Sequence, residues 1–208
     1  MISGYKFLET KTEQLSGIKM ITIPTLKTTR LIIRPLNEKD IDFLFNHYNQ
    51  EEISRYTLIS FNSIDEVKAF LGQYTAKSDM RKFKEGIELR STQQLIGTVT
   101  FLNWSKKDRC AEIGYDLSKE YWGKGFMYEA LEVFIRFGFE VMNLNRIEAT
   151  TNVRNERSRK VLTRLGFIQE GILRQKYRFR GKFSDEIIFS ILREEWETRG
   201  IQGMQDKS

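Results

Sequence analysis

Tyr115-Asp-Leu-Ser-Lys-Glu-Tyr-Trp-Gly-Lys-Gly-Phe-Met-Tyr-Glu-Ala130 passes from a strand through a glycine turn into an amphipathic helix. Gly123 and Gly125 carry no Cβ, so the backbone can bend sharply there and come close to a bulky ligand. Beyond Lys124, the residues Phe126, Met127, Ala130, Leu131, Phe134, Phe137, Gly138 and Val141 recur at helical spacing, with Glu129, Glu132, Arg136 and Glu140 on the other side. The first amides of such a helix have no partner within it. Together with the positive end of the helix dipole they favour a diphosphate. The same pattern also fits a tight strand-to-helix loop that binds nothing, so the choice falls to the rest of the chain.

Toward the N-terminus, residues 111–117 form a strand after the charged turn Lys106-Lys-Asp-Arg109, and 86–90 with 95–101 read as an antiparallel hairpin. Earlier still, Arg30-Leu-Ile-Ile-Arg-Pro35 is a β-rich run ended by proline. Asn37 then caps a helix carrying Ile41, Phe43, Leu44 and Phe45, and Asn62 or Ser63 starts another that runs through Tyr74. Two helices are therefore expected ahead of the meander. A short apolar alternation at 18–23 is consistent with an extra edge strand or an ordered arm. Toward the C-terminus, 146–151 is a strand separated from Leu117 by a helix, which predicts a parallel neighbour. A helix over 155–165 is closed by Gly166. Strands over 167–179 and 184–192 flank the turn Arg180-Gly-Lys182, and residues from Gly200 on read as a frayed polar tail.

The 208 residues, 40% hydrophobic and 30% charged, suit one soluble domain, which we bound at 28–197 between an N-terminal extension (1–27) and a polar tail (198–208). No apolar run is long enough to span a bilayer, and 1–11 lacks the hydrophobic centre of a signal peptide, so a cytoplasmic location is expected. Cys110 is the only cysteine and His47 the only histidine. An intrachain disulfide, a cysteine zinc site and a histidine-rich metal site are excluded, and no metal is expected. The net charge of +6 is concentrated in Arg154, Arg157, Arg159, Lys160, Arg164, Arg174, Lys176, Arg178, Arg180 and Lys182. Such a cluster fits a solvated face, a phosphorylated cofactor or an acidic macromolecular surface.

The order of elements and six motifs together resemble the GNAT superfamily of N-acetyltransferases, in particular its RimJ/RimL-type ribosomal-protein N-terminal acetyltransferases. The motifs are Thr29-Arg-Leu-Ile-Ile-Arg-Pro-Leu36, Leu95-Ile-Gly97, Glu112-Ile-Gly-Tyr115, Tyr121-Trp-Gly-Lys-Gly125 with Glu129-Ala130, Asn152-Val-Arg-Asn-Glu-Arg-Ser158, and Leu165-Gly-Phe167. The resemblance spans residues 28–196. It implies an α/β (α+β) fold with a mixed, mostly antiparallel sheet of about seven strands, one parallel pair of them splayed, and about four flanking helices. It further implies that acetyl-CoA enters the splayed pair as cosubstrate. Its pantetheine arm would pair with the strand edge at Tyr115 and Leu117, and its diphosphate would rest on the amides of Gly123, Lys124, Gly125, Phe126 and Met127, with Trp122 at the head of that cofactor loop. Asn152, Asn155, Ser158 and Lys160 would complete the cofactor contacts, with Arg157 and Arg159 near the adenosine-side phosphate. Trp122 and Met127 depart from the usual residues of this loop, although backbone amides do the binding.

Acetyl transfer requires a neutral amine, a donor for the developing oxyanion and a proton for the departing thiolate. An α-amine of pKa about 8 is roughly a tenth neutral at about pH 7, against less than about one part in a thousand for a lysine. Glu112 is the candidate base, directly or through water, or else an exposed strand residue paired with Arg109. The Tyr115 amide would meet the thioester carbonyl, and Ser158 lies where the sulfur should sit. The tyrosine many relatives use as thiol acid is replaced by Leu162. Cys110 is read as a buried neutral thiol and His47 as polar packing or surface. The acceptor should arrive from the face opposite the cofactor, near Tyr177, Phe179 and Phe183. It is a protein N-terminus, possible partners being ribosomal proteins, or a polyamine or other small amine. A non-catalytic ribosome- or nucleic-acid-binding module and an acyl-CoA sensor are the rival classes. The chain is expected to be a monomer or homodimer.

Overall fold

The computed structural model describes residues 14–15, 18–19, 23–75, 82–179 and 181–205. A short antiparallel pair, β1 (Gln14–Leu15) and β2 (Ile18–Lys19), precedes the main sheet. That sheet has eight strands among the described residues. They are β3 (Leu26–Lys27), β4 (Leu31–Pro35), β5 (Phe83–Leu89), β6 (Leu95–Ser105), β7 (Cys110–Leu117), β8 (Arg146–Asn152), β9 (Ile168–Phe179) and β10 (Lys182–Leu192), in the spatial order β3-β4-β5-β6-β7-β8-β10-β9. Every neighbouring pair is antiparallel except β7 and β8. The mostly antiparallel sheet with its one parallel pair is the expected fold, with eight strands where about seven were counted. The extra one is β3, which the proposed boundary at Thr28 cut off although Ile23 and Leu26 are buried in the core.

Among the described residues six helices accompany the sheet: α1 (Ile41–Tyr48), α2 (Glu51–Thr57), α3 (Ile64–Thr75), α4 (Phe126–Glu140), α5 (Glu156–Arg164) and α6 (Arg193–Gln205). Three of them, not two, lie between β4 and β5. The additional α2 has no side-chain cap at Gln50 and buries only Ile53 and Ser54, too little for periodicity to reveal. Asn37 does cap, but through a 3-10 turn over Glu38–Asp40 that leads into α1. At the C-terminus the helix α6 runs to Gln205, so the frayed tail expected from Gly200 is corrected; Trp196 anchors this helix with its ring 6.1 Å from that of Phe139. The alternation at 18–23, Arg180 and the end of the tail at 206–208 fall wholly or partly outside the described residues.

Period-two alternation splits the sheet residues between two cores. On one face Ile33, Ile87, Val99, Ile113, Ile147 and Ala149 pack with α4 and Leu162 of α5, and Phe101 stacks on Phe134 at 4.4 Å between centroids. On the other face Leu36 and Leu95 pack with Leu44, Tyr48, Ile53, Val67 and Leu71 from α1, α2 and α3. Each such fully buried side chain contributes roughly 1.5–3 kcal/mol. No helix among the described residues is long and apolar enough to cross a membrane.

Candidate active site

Parallel pairing between β7 and β8 is confined to Cys110↔Arg146, Ala111↔Ile147 and Glu112↔Glu148. Past Glu112 the strands part, while β7 stays paired to β6 as far as Leu117 and β8 to β10 as far as Asn152. The facing edges, from Ile113 and from Ala149 onward, are left with backbone groups for another partner. A cleft of about 370 Å³ opens here. Its walls come from Tyr115, Asp116 and Leu117 on β7, from the glycine turn and first turn of α4, from one side of α5, and from Glu52, Ile53, Tyr56 and Thr57 on α2.

The turn has the conformation its glycines permit, with φ of 74° at Gly123 and 77° at Gly125. Gly125 is the N-cap of α4 and supplies no side-chain cap, so none of the amides from Gly123 to Tyr128 donates to a protein acceptor among the described residues. Across the cleft, Arg157, Lys160 and Arg164 form a cationic line on α5. Arg157 lies over the Trp122 ring and Arg164 over the Tyr128 ring, each at 4.4 Å from the centroid. Free amides, a helix dipole and three cations are a donor set suited to a phosphorylated ligand. Arg164 belongs to the basic cluster of the sequence but was not among the expected cofactor contacts, although its spacing from Arg157 and Lys160 puts all three on one helix face. Arg159 points elsewhere, its Nη1 donating to the Val153 carbonyl at 3.5 Å.

Of the residues expected to meet the cofactor, Tyr115, Leu117, Trp122, Gly123, Gly125, Phe126, Met127, Asn155, Ser158 and Lys160 line the cleft, whereas Lys124 and Asn152 do not. Asn152 is occupied in joining β8 to the β9–β10 hairpin: its Nδ2 donates to the Tyr177 hydroxyl and to Ser184 Oγ (2.8 Å), and its Oδ1 accepts from Arg154 N (2.8 Å). Asn155 caps α5 by accepting from Ser158 N at 3.2 Å. Trp122 donates from Nε1 to the Leu117 carbonyl at 2.6 Å. Met127 is packed into the core.

Tyr115 contributes more than its backbone. Its hydroxyl lies 2.8 Å from Ser158 Oγ, joining β7 to α5 across the cleft. Burial pushes this phenol well above its ordinary pKa, against the pull of the Ser158 hydrogen bond, so it keeps its proton at any physiological pH. Leu162, at the position where a tyrosine was sought, is fully buried in the core.

Glu112 stands at the last paired position of the fork, where Oε1 accepts from Thr150 Oγ1 (2.7 Å) and Oε2 from Asn103 Nδ2 (3.1 Å). The alternative partner Arg109 instead donates to the Asn143 carbonyl at 2.9 Å. Alternation puts Glu112 on the face opposite Tyr115 and Ser158, and outside the cleft walls. Glu186, paired to Asn152 on β10, shares the face of Glu112; burial first, then the Glu112 charge, push its carboxyl pKa up. Nothing in the local sequence marked it, because only the register of β8 and β10 brings the two carboxyls near. At the root of the fork Cys110, expected to be buried, is only half-buried at the start of β7; burial followed by the charges of Glu148 and Asp108 pushes its thiol pKa up.

His47 is polar packing. Its Nε2 lies 2.7 Å from Asp116 Oδ1, which as a carboxylate can only accept, and its Nδ1 is 2.9 Å from Ser118 Oγ. Asp116 also accepts from the Tyr48 hydroxyl (2.8 Å), Thr98 Oγ1 (2.6 Å) and Thr98 N (3.1 Å), with Lys84 Nζ at 3.9 Å. The hub fastens α1 to the splayed end of β7.

Comparison with known proteins agrees with this geometry. The acetyltransferase (GNAT) domain family matches residues 30–168. The uncharacterized N-acetyltransferase YoaA of Bacillus subtilis is 35% identical over 82% of this chain and 97% of that protein. The [ribosomal protein uS5]-alanine N-acetyltransferase of Escherichia coli is 26% identical over 82% of this chain and 92% of its own. Among solved structures, spermidine N-acetyltransferase from Vibrio cholerae, in complex with CoA and spermine, shares the fold with a TM-score of 0.74 at 23% identity, over 82% of this chain and 99% of that one.

Proposed function

Because this chain belongs to the acetyltransferase (GNAT) domain family and is an N-acetyltransferase acting with acetyl-CoA, we propose that its acceptor is the N-terminal α-amine of a protein, a ribosomal protein foremost, and that transfer is direct. The observation carrying the donor half is the convergence, in one cleft, of unpaired strand edges, acceptor-free amides and the Tyr115–Ser158 hydroxyl pair. Acetyl-CoA supplies an activated acyl group. The turn amides and the cations of α5 hold its phosphates, and the edge of β7 aligns the arm. The Tyr115 amide steadies the carbonyl. Glu112, reached from the opposite face through the gap, takes the amine proton directly or through water, and the Ser158–Tyr115 pair donates to the leaving sulfur.

The acceptor assignment draws support from the similarity to the uS5-alanine enzyme and from acid–base cost. One glutamate already engaged by Thr150 and Asn103 suffices for an α-amine of pKa about 8 far better than for a lysine. A polyamine acceptor is the second reading, favoured by the neighbouring carboxyls of Glu112 and Glu186 on the acceptor face. The test incubates the protein and acetyl-CoA with N-terminal peptides of ribosomal proteins and, separately, with spermidine. One acetyl group on the terminal amine of a peptide, with thiol release to match, is the expected product. Acetylation of spermidine alone transfers the assignment to the second reading, and thiol release with neither removes both.

A further inference from the structure

Behind the glycine turn, away from the cleft, Arg30 reaches across from the start of β4. Its Nε donates to Glu129 Oε2 at 2.6 Å, its backbone N to Glu129 Oε1 at 2.9 Å, and its Nη1 to the Lys124 carbonyl at 3.0 Å. The guanidinium also lies over the Phe126 ring, 4.4 Å from the centroid. Thr28 Oγ1 adds a 2.5 Å hydrogen bond to Glu129 Oε1. One side chain therefore touches the turn at its middle residue, at the first residue of α4 and in the first helical turn. Neither Arg30 nor Glu129 lines the cleft.

Two physical problems of an anion site are met by this arrangement. A Gly-x-Gly turn has many accessible conformations, and fixing each residue costs about 1–2 kcal/mol, a cost that falls on the ligand unless the protein has already met it. An acidic residue in the first helical turn suits the dipole but repels an arriving diphosphate. Arg30 fixes the turn and places a positive charge directly on the Glu129 carboxylate.

We propose that Arg30, acting through Glu129 and the Lys124 carbonyl, is a positioning residue that holds the turn amides ready for the diphosphate and so sets cofactor affinity. The inference rests on the reading of the turn as the diphosphate seat. It gives the Thr28-Thr-Arg30 segment a function that strand formation does not need.

The test compares wild type, Arg30→Ala, Arg30→Lys and Glu129→Gln. Kd is measured for CoA by calorimetry and for pantetheine, which lacks the diphosphate, by NMR titration. Arg30→Ala is expected to weaken CoA about tenfold, the loss of a charge-assisted hydrogen bond, and to leave pantetheine within about twofold. Arg30→Lys should recover part of the loss, since an ammonium still balances Glu129. Equal losses for CoA and pantetheine would reduce Arg30 to general support of the fold and overturn the inference, as would unchanged CoA affinity in both Arg30→Lys and Glu129→Gln if the alanine variant fails to fold. A wild-type protein that ignores CoA would remove the reading of the turn itself, and this inference with it, whereas normal wild-type binding with indifferent variants removes this inference alone.

Discussion

Tyr115 and Ser158 stand 43 positions apart in the chain and meet at 2.8 Å. Each was recognisable from its motif, but their contact was not, because it depends on how α5 crosses the end of β7. The thiol acid sought at Leu162 was absent from the helix while a phenol was available from the strand. Tyr115→Phe removes only the hydroxyl, and kcat with acetyl-CoA should fall by roughly tenfold to a hundredfold, the lower end of general-acid effects since a thiolate is a fair leaving group. Its high pKa adds a pH signature: steady-state rates of the wild type should show no falling limb up to about pH 9, where an unperturbed tyrosine would begin to lose its proton. A falling limb near that pH, absent in the phenylalanine variant, would contradict the burial argument. Glu112→Gln should slow turnover at neutral pH more than it weakens CoA binding, and equal rates for variant and wild type from about pH 6 to 9 would remove Glu112 as the base.

Among the elements, the glycine turn and α4 were legible because three signals coincide there: paired glycines, a run of apolar residues at helical spacing and a preceding β-rich strand. From periodicity the fork was legible only as a parallel neighbour, and its splay only through the family resemblance; that pairing stops after Glu112↔Glu148 is a matter of register. Helix α2 left no trace because its wall-forming residues, Glu52, Tyr56 and Thr57, face the cleft rather than the core. Gly123 allows a sharp test of the turn. A Cβ there would meet nothing within 4 Å, yet φ is 74°, so Gly123→Ala should lose about 1 kcal/mol through backbone strain alone. Urea unfolding should register that modest loss, and CoA titration a larger proportional one as the amides turn away. A variant with unaltered CoA affinity would show that these amides do not carry the ligand.

In the molecule as a whole, the buried hub at Asp116 holds α1 on one face to the strand that serves the other. Burial by itself would raise the Asp116 pKa, but His47, Lys84 and Thr98 more than reverse this and bring it to about 2, below its ordinary 3.8. A depressed folded-state value means that the contribution to stability is present above the unfolded value and disappears as pH falls toward about 2. Asp116→Asn should therefore cost roughly 3 kcal/mol in urea unfolding near neutrality, with the gap to wild type narrowing at about pH 3. A gap of equal size at both pH values would assign the loss to shape rather than charge. The sheet between the two helical layers also acts as a partition. Helices α1, α2 and α3 cover one side, α4 and α5 the other, and the two compartments communicate where β7 and β8 separate. On the reading proposed above, amine and thioester have separate doors, so neither must depart before the other is admitted, and no relay through the half-buried Cys110 thiol is needed. Such a floor plan suits a ternary encounter, in which the acyl group crosses a wall once and is never stored within it.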